Sequence, residues 1–250
     1  MDIRVAHLYP AYLNIYADRG NIAVFERRAA ARGHRLVVEP VTLGSPPPDR
    51  PADLYYVGGG QDREQAMIAP DLAERGASIR AAVDGGAALL AVCGGYQLLG
   101  RGYRGRDGSF MPGAGLFAHE TVAGETRMIG DVLLECELDS GERHLLAGFE
   151  NHAGRTILDA NAAPLGRVVH GHGNDGASGF EGSRLGNALG TYLHGPLLPR
   201  NPWLADWLLS RALGHAGAGE QPALSPLLDE LEAEAFRVSA ARARKRGGKR

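Results

Sequence analysis

Ala87-Ala88-Leu89-Leu90-Ala91-Val92 is a run of small or branched apolar residues with no polar break, followed at once by Cys93-Gly94-Gly95 and then Tyr96-Gln97-Leu98-Leu99-Gly100. A short continuous apolar run bounded by turn residues reads as a strand buried on both faces, the kind found in parallel sheets covered by helices. The Gly-Gly pair lets the backbone reverse sharply into a helix. A thiol is thereby expected on a strand-to-helix elbow at the carboxyl edge of a sheet, where the N–H groups of the next helix converge. A helix N-terminus favours the thiolate, the form that attacks carbonyl carbon. Most free cysteines are small buried core residues, but the glycines that follow Cys93 favour a nucleophile here.

The elements before the elbow set its context. Residues 3–9 read as a first strand closed by Pro10, residues 14–21 as a polar loop, and residues 22–32 as a helix that Gly33 terminates. A second strand is expected over 34–43. The proline-rich segment 44–51 must be an exposed connection. Residues 53–57 form a third strand that runs into Gly58-Gly59-Gly60, and a helix over 63–83, interrupted at Pro70, leads to the elbow strand. This order predicts a doubly wound α/β fold with a largely parallel central sheet, in which ligands bind outside the carboxyl ends of strands. Gly58-Gly59-Gly60 and Cys93 both follow strands and belong at that edge.

The second half changes texture, and additional antiparallel strands are expected there. Strands are predicted at 128–136 and 144–149, joined by the hairpin-like turn Asp139-Ser140-Gly141, with shorter ones at 156–158, 167–170 and 188–193. Between them runs the glycine-rich loop 171–176. His170, His172 and Asp175 sketch a metal site, yet a polar loop carrying histidines is the better reading, and no metal is expected. Trp203, Leu204, Trp207, Leu208 and Ala212 recur at three and four residues, placing an amphipathic helix over 199–213. One further helix is expected over 222–238. Arg242, Arg244, Lys245, Arg246, Lys249 and Arg250 crowd the end of the chain and read as a solvated, disordered tail or a tether to an anionic surface. The expected organisation is a domain over 1–213, a helical extension over 214–240 and a basic tail over 241–250.

Composition excludes several classes. A net charge of -2 gives no global pull toward nucleic acid, and no window approaches the length of an apolar membrane span. The two cysteines, Cys93 and Cys136, lie far apart with no second member near either, which argues against a zinc site or a disulfide framework and fits a reducing cytoplasm. No signal-peptide pattern opens the chain.

A cysteine nucleophile needs a base, a cradle for the oxyanion and a means of selecting substrate. Among nine histidines, His194 stands out because it ends the strand-like run Leu189-Gly190-Thr191-Tyr192-Leu193 and is followed by Gly195-Pro196. Position alone fits a structural histidine equally well.

Gly58-Gly59-Gly60-Gln61-Asp62, Val92-Cys93-Gly94-Gly95-Tyr96-Gln97 and Gly190-Thr191-Tyr192-Leu193-His194-Gly195, in this order and spacing, resemble the class I glutamine amidotransferases of the CobB/CobQ type. Residues 13–22 and 148–156 are similar to the branch that serves as glutaminase subunit of lipid II isoglutaminyl synthases. The resemblance covers roughly residues 1–213. It implies that Cys93 attacks the side-chain amide of L-glutamine, that His194 is base and then acid, and that the N–H groups of Gly60 and Gly94 form the oxyanion hole. It also implies that Arg127 grips the substrate carboxylate and that Gln97 lies in the glutamine pocket, with Glu150 and Asn151 as further candidates. Many class I enzymes carry a glutamate two residues after the histidine, where this chain has Pro196; a backbone carbonyl, Asp18 or Glu150 are left as candidates to orient His194.

The chain contains no Gly-x-x-x-x-Gly-Lys-Ser/Thr phosphate loop. No cofactor is expected on it. By resemblance, ATP and Mg²⁺ belong to a partner, a MurT-like Mur ligase, which amidates the D-glutamate α-carboxylate of lipid II. The partner would form a heterodimer with this chain, with possible contact at the inner face of the membrane. The alternatives are a glutaminase serving another ATP-dependent synthetase, such as a corrinoid-type one, and a stand-alone cysteine γ-glutamyl hydrolase.

Overall fold

The computed structural model describes residues 1–15, 19–139, 141–218 and 221–247. In it β1 (Asp2–Leu8), α1 (Arg19–Ala30), β2 (Arg35–Val41), β3 (Leu54–Val57), α2 (Asp62–Asp84), β4 (Ala88–Val92) and α3 (Gly94–Leu98) follow one another in the expected order. A second group comprises β5 (Gly102–Arg104), β6 (Phe110–Pro112), β7 (His119–Glu137), β8 (Arg143–Leu158), β9 (Gly166–His170) and β10 (Phe180–Glu181). The chain then returns through β11 (Ser183–Leu185) and β12 (Ala188–Thr191), and ends in α4 (Pro202–Leu213) and α5 (Glu230–Gly247).

The first sheet runs β11-β12-β4-β3-β1-β2, and every pairing in it is parallel except β11 with β12. All five residues of β4 are fully buried, as the unbroken apolar run requires. The consequence for function is positional. β3, β4 and β12 lie side by side, with Val57 opposite Ala91 and Thr191 opposite Val92. Gly58-Gly59-Gly60, Cys93 and His194 therefore emerge together at one sheet edge.

The second sheet is mixed, in the order β10-β9-β7-β5-β6 with β8 paired to β7. The hairpin expected around 139–141 is there, although Ser140 lies outside the described residues. Its strands are far longer than the predicted fragments: β7 and β8 pair from His119 with Leu158 to Glu137 with Arg143, interrupted by a register shift between Ala123 and Met128. Glycines at 124, 130, 148 and 154 weaken the strand pattern in the sequence. At least one is required by packing, because a Cβ on Gly148 would lie 2.7 Å from Leu193 Cβ and 2.6 Å from its Cγ.

Several expectations are corrected. α2 is not interrupted at Pro70, which lies inside one helix. Pro70 and Ala66, the residue whose carbonyl the ring leaves without an N–H, are both exposed, so water can satisfy that carbonyl, while Ile68, Ala69 and Leu72 hold the helix to the core. α1 begins earlier than predicted. Asn21, read as loop, is buried inside the helix because its amide donates to Tyr56 Oη (3.0 Å) and accepts from Leu198 N (2.9 Å). The predicted helix at 222–238 instead begins at Glu230. Residues 221–229 run as an extended strap, tied by Ser210 Oγ to Pro222 O (2.9 Å) and by Arg32 Nε to Ser225 O (2.8 Å). α5 then crosses the predicted boundary at 240 and carries the first part of the basic run to Gly247. Ala240 and Ala243 are buried against Leu133 and Ala147, which leaves Arg242, Arg244 and Lys245 on the outer side. Among the described residues, no helix is long and apolar enough to cross a membrane.

Arg28 joins the terminal elements. It is 4% exposed, and its guanidinium reaches Asp206 on α4 (2.6 and 2.7 Å) and Asp229 before α5 (2.6 and 2.9 Å). Loss of Arg28 takes this partner from Asp229, while Asp206 keeps two hydrogen bonds from Arg32 (3.0 and 2.8 Å). Arg28→Met is expected to lower the unfolding free energy by about 2–3 kcal/mol in urea titrations. A change within ~0.5 kcal/mol would show that the cluster behaves as a surface ion pair.

Candidate active site

Cys93 occupies a conformation that side chains rarely adopt, φ 49 and ψ -109, between the last residue of β4 and the first of α3. Such strain costs on the order of 1–3 kcal/mol and persists only where the surroundings enforce it. Here Cys93 N donates to Thr191 O (2.8 Å), Gln97 N to Cys93 O (2.9 Å) and Gly95 N to Gly58 O (3.1 Å). Gly95 must be glycine, since a Cβ there would lie 2.6 Å from Val57 Cγ2 and 2.8 Å from Gly58 O. The two cysteines differ in kind. Cys136 is a core residue whose thiol burial pushes up to about 12, whereas Cys93 faces a cavity of about 710 Å³.

The glycine loop after β3 lies against the Cys93 side chain. A Cβ on Gly94 would be 3.0 Å from Gly60 N, so the two backbone N–H groups named from the sequence are neighbours. The peptide joining Gly59 to Gly60 is held by its carbonyl, which accepts from Ile15 N (3.2 Å). In a trans peptide this turns the Gly60 N–H to the opposite side. The Gly60 carbonyl is held in turn by Gln65 Nε2 (3.1 Å). His194 meets the same point. A Cβ placed on Gly59 would lie 3.1 Å from His194 Cε1 and 3.2 Å from Cys93 Cβ, so the imidazole and the Cys93 side chain converge at one glycine.

Gln97 and Arg127 line the cavity with Cys93. Gln97 is buried, and its Nε2 donates to Tyr192 Oη (3.0 Å), which is bonded to Thr156 Oγ1 (2.7 Å). Arg127 on β7 is exposed, with Nε on Asn151 Oδ1 (2.9 Å) and Nη2 on Asn151 O (3.0 Å). That grip fixes one edge of the guanidinium and leaves the Nη1 side for an anion. Asn151 is thus a wall of the cavity that aims Arg127.

Glu150 is placed differently. It is fully buried, and its carboxylate accepts from His172 N (2.8 Å), His172 Nδ1 (2.6 Å) and Gly173 N (3.0 Å), securing the glycine-rich loop. Asp18 lies outside the described residues. In the glycine-rich loop Asp175 Oδ1 accepts from Ala177 N and Ser178 N, and among the described residues no group of three or more His, Cys, Asp or Glu that could hold a metal occurs.

Sequence reasoning passed over four participants. His152 lines the cavity, stacks flat on Tyr192 at 3.5 Å, and is held below the usual histidine range by burial. Tyr103 is pushed up to about 12 by burial and the neighbouring Asp62. Gln65 is the buried residue that sets the Gly60 carbonyl. Glu181 on β10 is fully buried against the strand that leads to His194, accepting from Thr191 Oγ1 (3.0 and 3.1 Å) and Tyr192 N (2.6 Å). His152 stands within a motif that carried the resemblance. The other three offered no local signal, because a polar residue on a helix or strand shows neither its burial nor its partner in the sequence.

Comparison with known proteins bears on the family and the fold. A family model described as CobB/CobQ-like glutamine amidotransferase domain matches residues 4–202. The lipid II isoglutaminyl synthase (glutamine-hydrolyzing) subunit GatD of Staphylococcus aureus is 34% identical over 95% of this chain and 94% of that protein. The GatD subunit of Streptococcus pneumoniae is 40% identical over 84% of this chain and 80% of that protein. Among solved structures, the glutaminase domain of Trypanosoma brucei CTPS with bound acivicin has a TM-score of 0.53 at 13% identity, covering 89% of this chain and 96% of that one, a likeness of fold.

Glu181 yields a test that does not depend on activity. Burial pushes its carboxyl up from 4.5 to about 8, against the pull of its hydrogen bonds and of His194. Between those values the folded protein holds a proton that the unfolded chain has released, so stability falls as pH rises. Glu181→Gln removes that slope. In chemical denaturation at pH 5, 6.5 and 8, the variant is expected to gain on the wild type as pH increases; parallel profiles would show that Glu181 is ionised in the folded protein throughout.

Proposed function

Because the chain belongs to the CobB/CobQ-like glutamine amidotransferase family, we propose that it is the glutamine-hydrolysing subunit of a lipid II isoglutaminyl synthase. The observation that carries this reading is the meeting of Cys93 and His194 at Gly59, beside the neighbouring Gly60 and Gly94 backbone, with Cys93, Gly60 and Arg127 lining one cavity. This chain spans 94% and 80% of the two GatD relatives but only 37% and 42% of the cobyric acid synthases of Pelotomaculum thermopropionicum and Rhodobacter capsulatus, which favours this acceptor system over a corrinoid one.

In this mechanism the L-glutamine α-carboxylate sits on the free edge of Arg127, and the side-chain amide reaches the elbow. The Cys93 thiolate attacks the amide carbon, and the oxygen takes up negative charge between the N–H groups of Gly94 and Gly60. Donors preset for that charge are worth on the order of 3 kcal/mol each. His194 gives a proton to the nitrogen, the C–N bond breaks, ammonia leaves, and a γ-glutamyl thioester remains. His194 then takes a proton from water, which attacks the thioester carbon; the C–S bond breaks, glutamate leaves, and the thiolate and protonated imidazole are restored.

Ammonia forms an amide only with an activated carboxylate. The sequence carries no phosphate loop, so activation by ATP and Mg²⁺ is assigned to a MurT-like ligase that binds this chain and amidates the D-glutamate α-carboxylate of lipid II. A lipid-borne acceptor puts the heterodimer at the cytoplasmic face of the membrane, and the outward Arg242, Arg244 and Lys245 of α5 suit an anionic surface.

The test is glutamine- and ATP-dependent amidation by the chain combined with its ligase. Cys93→Ala is expected to abolish it with glutamine while leaving amidation from added ammonium salts intact. Loss with both nitrogen sources would mean that this chain does more than supply ammonia, and full activity with glutamine would end the thioester mechanism. Arg127→Ala removes a charge-assisted contact worth about 1.5–3 kcal/mol, so KM for glutamine is expected to rise roughly 10- to 100-fold, with kcat changing less.

A further inference from the structure

β12 ends at Thr191, so His194 stands in a turn that needs anchors of its own. The His194 backbone pairs with Phe149 on β8, donating at 2.8 Å and accepting at 3.4 Å. Gly195 follows with φ 111, a conformation suited to glycine. Pro196 then packs so closely on α1 that a Cβ on Gly20 would lie 2.5 Å from its Cγ. The remaining anchor comes from outside the sheet. The Gly195 carbonyl accepts from Arg200 Nη2 at 2.6 Å, and Arg200 Nη1 donates to Ser239 Oγ on α5 at 3.2 Å.

Arg200 closes the 3-10 turn Leu198–Arg200 and is partly buried. Its hydrogen bonds go to a carbonyl and a hydroxyl, both neutral. Burial lowers its proton affinity, Asp131 partly restores it, and Arg242 on α5 lowers it again. A guanidinium taken out of water is ordinarily matched by a carboxylate. What this one achieves is geometric, because a planar fork spans two oxygens on separate elements and holds both. One of those oxygens belongs to the residue after His194.

We propose, taking the glutaminase reading as given, that Arg200 is a positioning residue for His194, locking the turn that carries the imidazole to the C-terminal helix. α5 thereby helps keep His194 aimed at Cys93, although no residue of α5 lines the cavity. Loss of the fork frees the Gly195 peptide, and misplacement of a reacting group by about 1 Å can lower turnover 100-fold.

The experiment is steady-state glutamine hydrolysis by the full chain, alone and with its ligase, for the wild type, Arg200→Ala, Arg200→Lys and Ser239→Ala. For Arg200→Ala, kcat is expected to fall about 10- to 100-fold with KM for glutamine within about twofold, because Arg127 and Gln97 are untouched. Arg200→Lys should recover part of the loss, since one ammonium can reach one oxygen but cannot span both. Ser239→Ala should lower kcat a fewfold in a protein that melts close to the wild type. If Arg200→Ala does not fold, the other two variants decide. Wild-type kcat in folded Arg200→Lys and Ser239→Ala, or a rise in KM at constant kcat, would overturn the role of Arg200. A wild-type protein with no glutamine turnover, alone or with ligase, would instead overturn the glutaminase reading and the inference with it.

Discussion

The hydrogen bond from Cys93 N to Thr191 O keeps β4 and β12 in register to their last residues, and the geometry of the site follows from it. With that register fixed, the chain leaving β4 must turn at Cys93 and the chain leaving β12 must carry His194 to the same edge. The positive φ of Cys93 is then enforced from both sides, by β12 and by the loop after β3 that receives Gly95 N. Were the strand ends free to fray, the elbow would relax to an ordinary conformation and the sulfur would withdraw from the glycine loop. A buried parallel sheet therefore does two tasks, supplying the core and storing the strain that presents the thiol.

Beneath the cavity the core is polar. Gln97, Tyr192, Thr156 and Thr121 form one hydrogen-bonded chain, while Tyr96, Ser183, His119 and Asn174 form another. Apolar side chains of similar volume would pack as well and allow more than one arrangement. Satisfied polar groups in a low dielectric tolerate little displacement, which fixes how α3, β7, β8 and β12 meet. Glu181 and Glu150 extend this principle to backbone. Each buried carboxyl group accepts from backbone, Glu181 from Tyr192 N in the segment before His194 and Glu150 from His172 N and Gly173 N in the glycine-rich loop. The second sheet thus delivers Arg127, Asn151 and His152 to the cavity on a rigid support.

How much of this could be read in the sequence depended on the range of the interaction. The elbow, the glycine loop and the early strands were legible because a continuous apolar run and adjacent glycines are local signals. His194 was legible only in the company of Cys93 and the glycine loop, since a histidine before Gly-Pro has no single meaning. Pro70 misled because its cost depends on whether the freed carbonyl meets water, which the sequence does not reveal. β7 and β8 were read as fragments because glycines required by close packing interrupt their alternation. Glu181, Gln65 and Tyr103 were invisible for a related reason: a buried polar residue has meaning only through partners that folding brings to it.

α5 follows from the same distinction between local pattern and distant partner. Read locally, its second half is a basic run and its first half is acidic, which suggests a solvated segment. In the fold, Asp229 before the helix and Glu232 within it face Arg28 and Arg27 on α1, and two alanines pack on the second sheet. Leu228 and Leu231, exposed by 89% and 80%, contribute almost nothing to that packing. Small-residue burial of this kind supplies little hydrophobic free energy, roughly 25 cal/mol per Å² of a small area. The helix therefore relies on Phe236, partly buried against the same cluster, together with its ion pairs and the bond from Ser239 to Arg200, where α2 buries Ile68, Leu72 and Ile79. An element held so lightly opens at lower free energy than the core, and Arg200 ties its departure to the turn that carries His194.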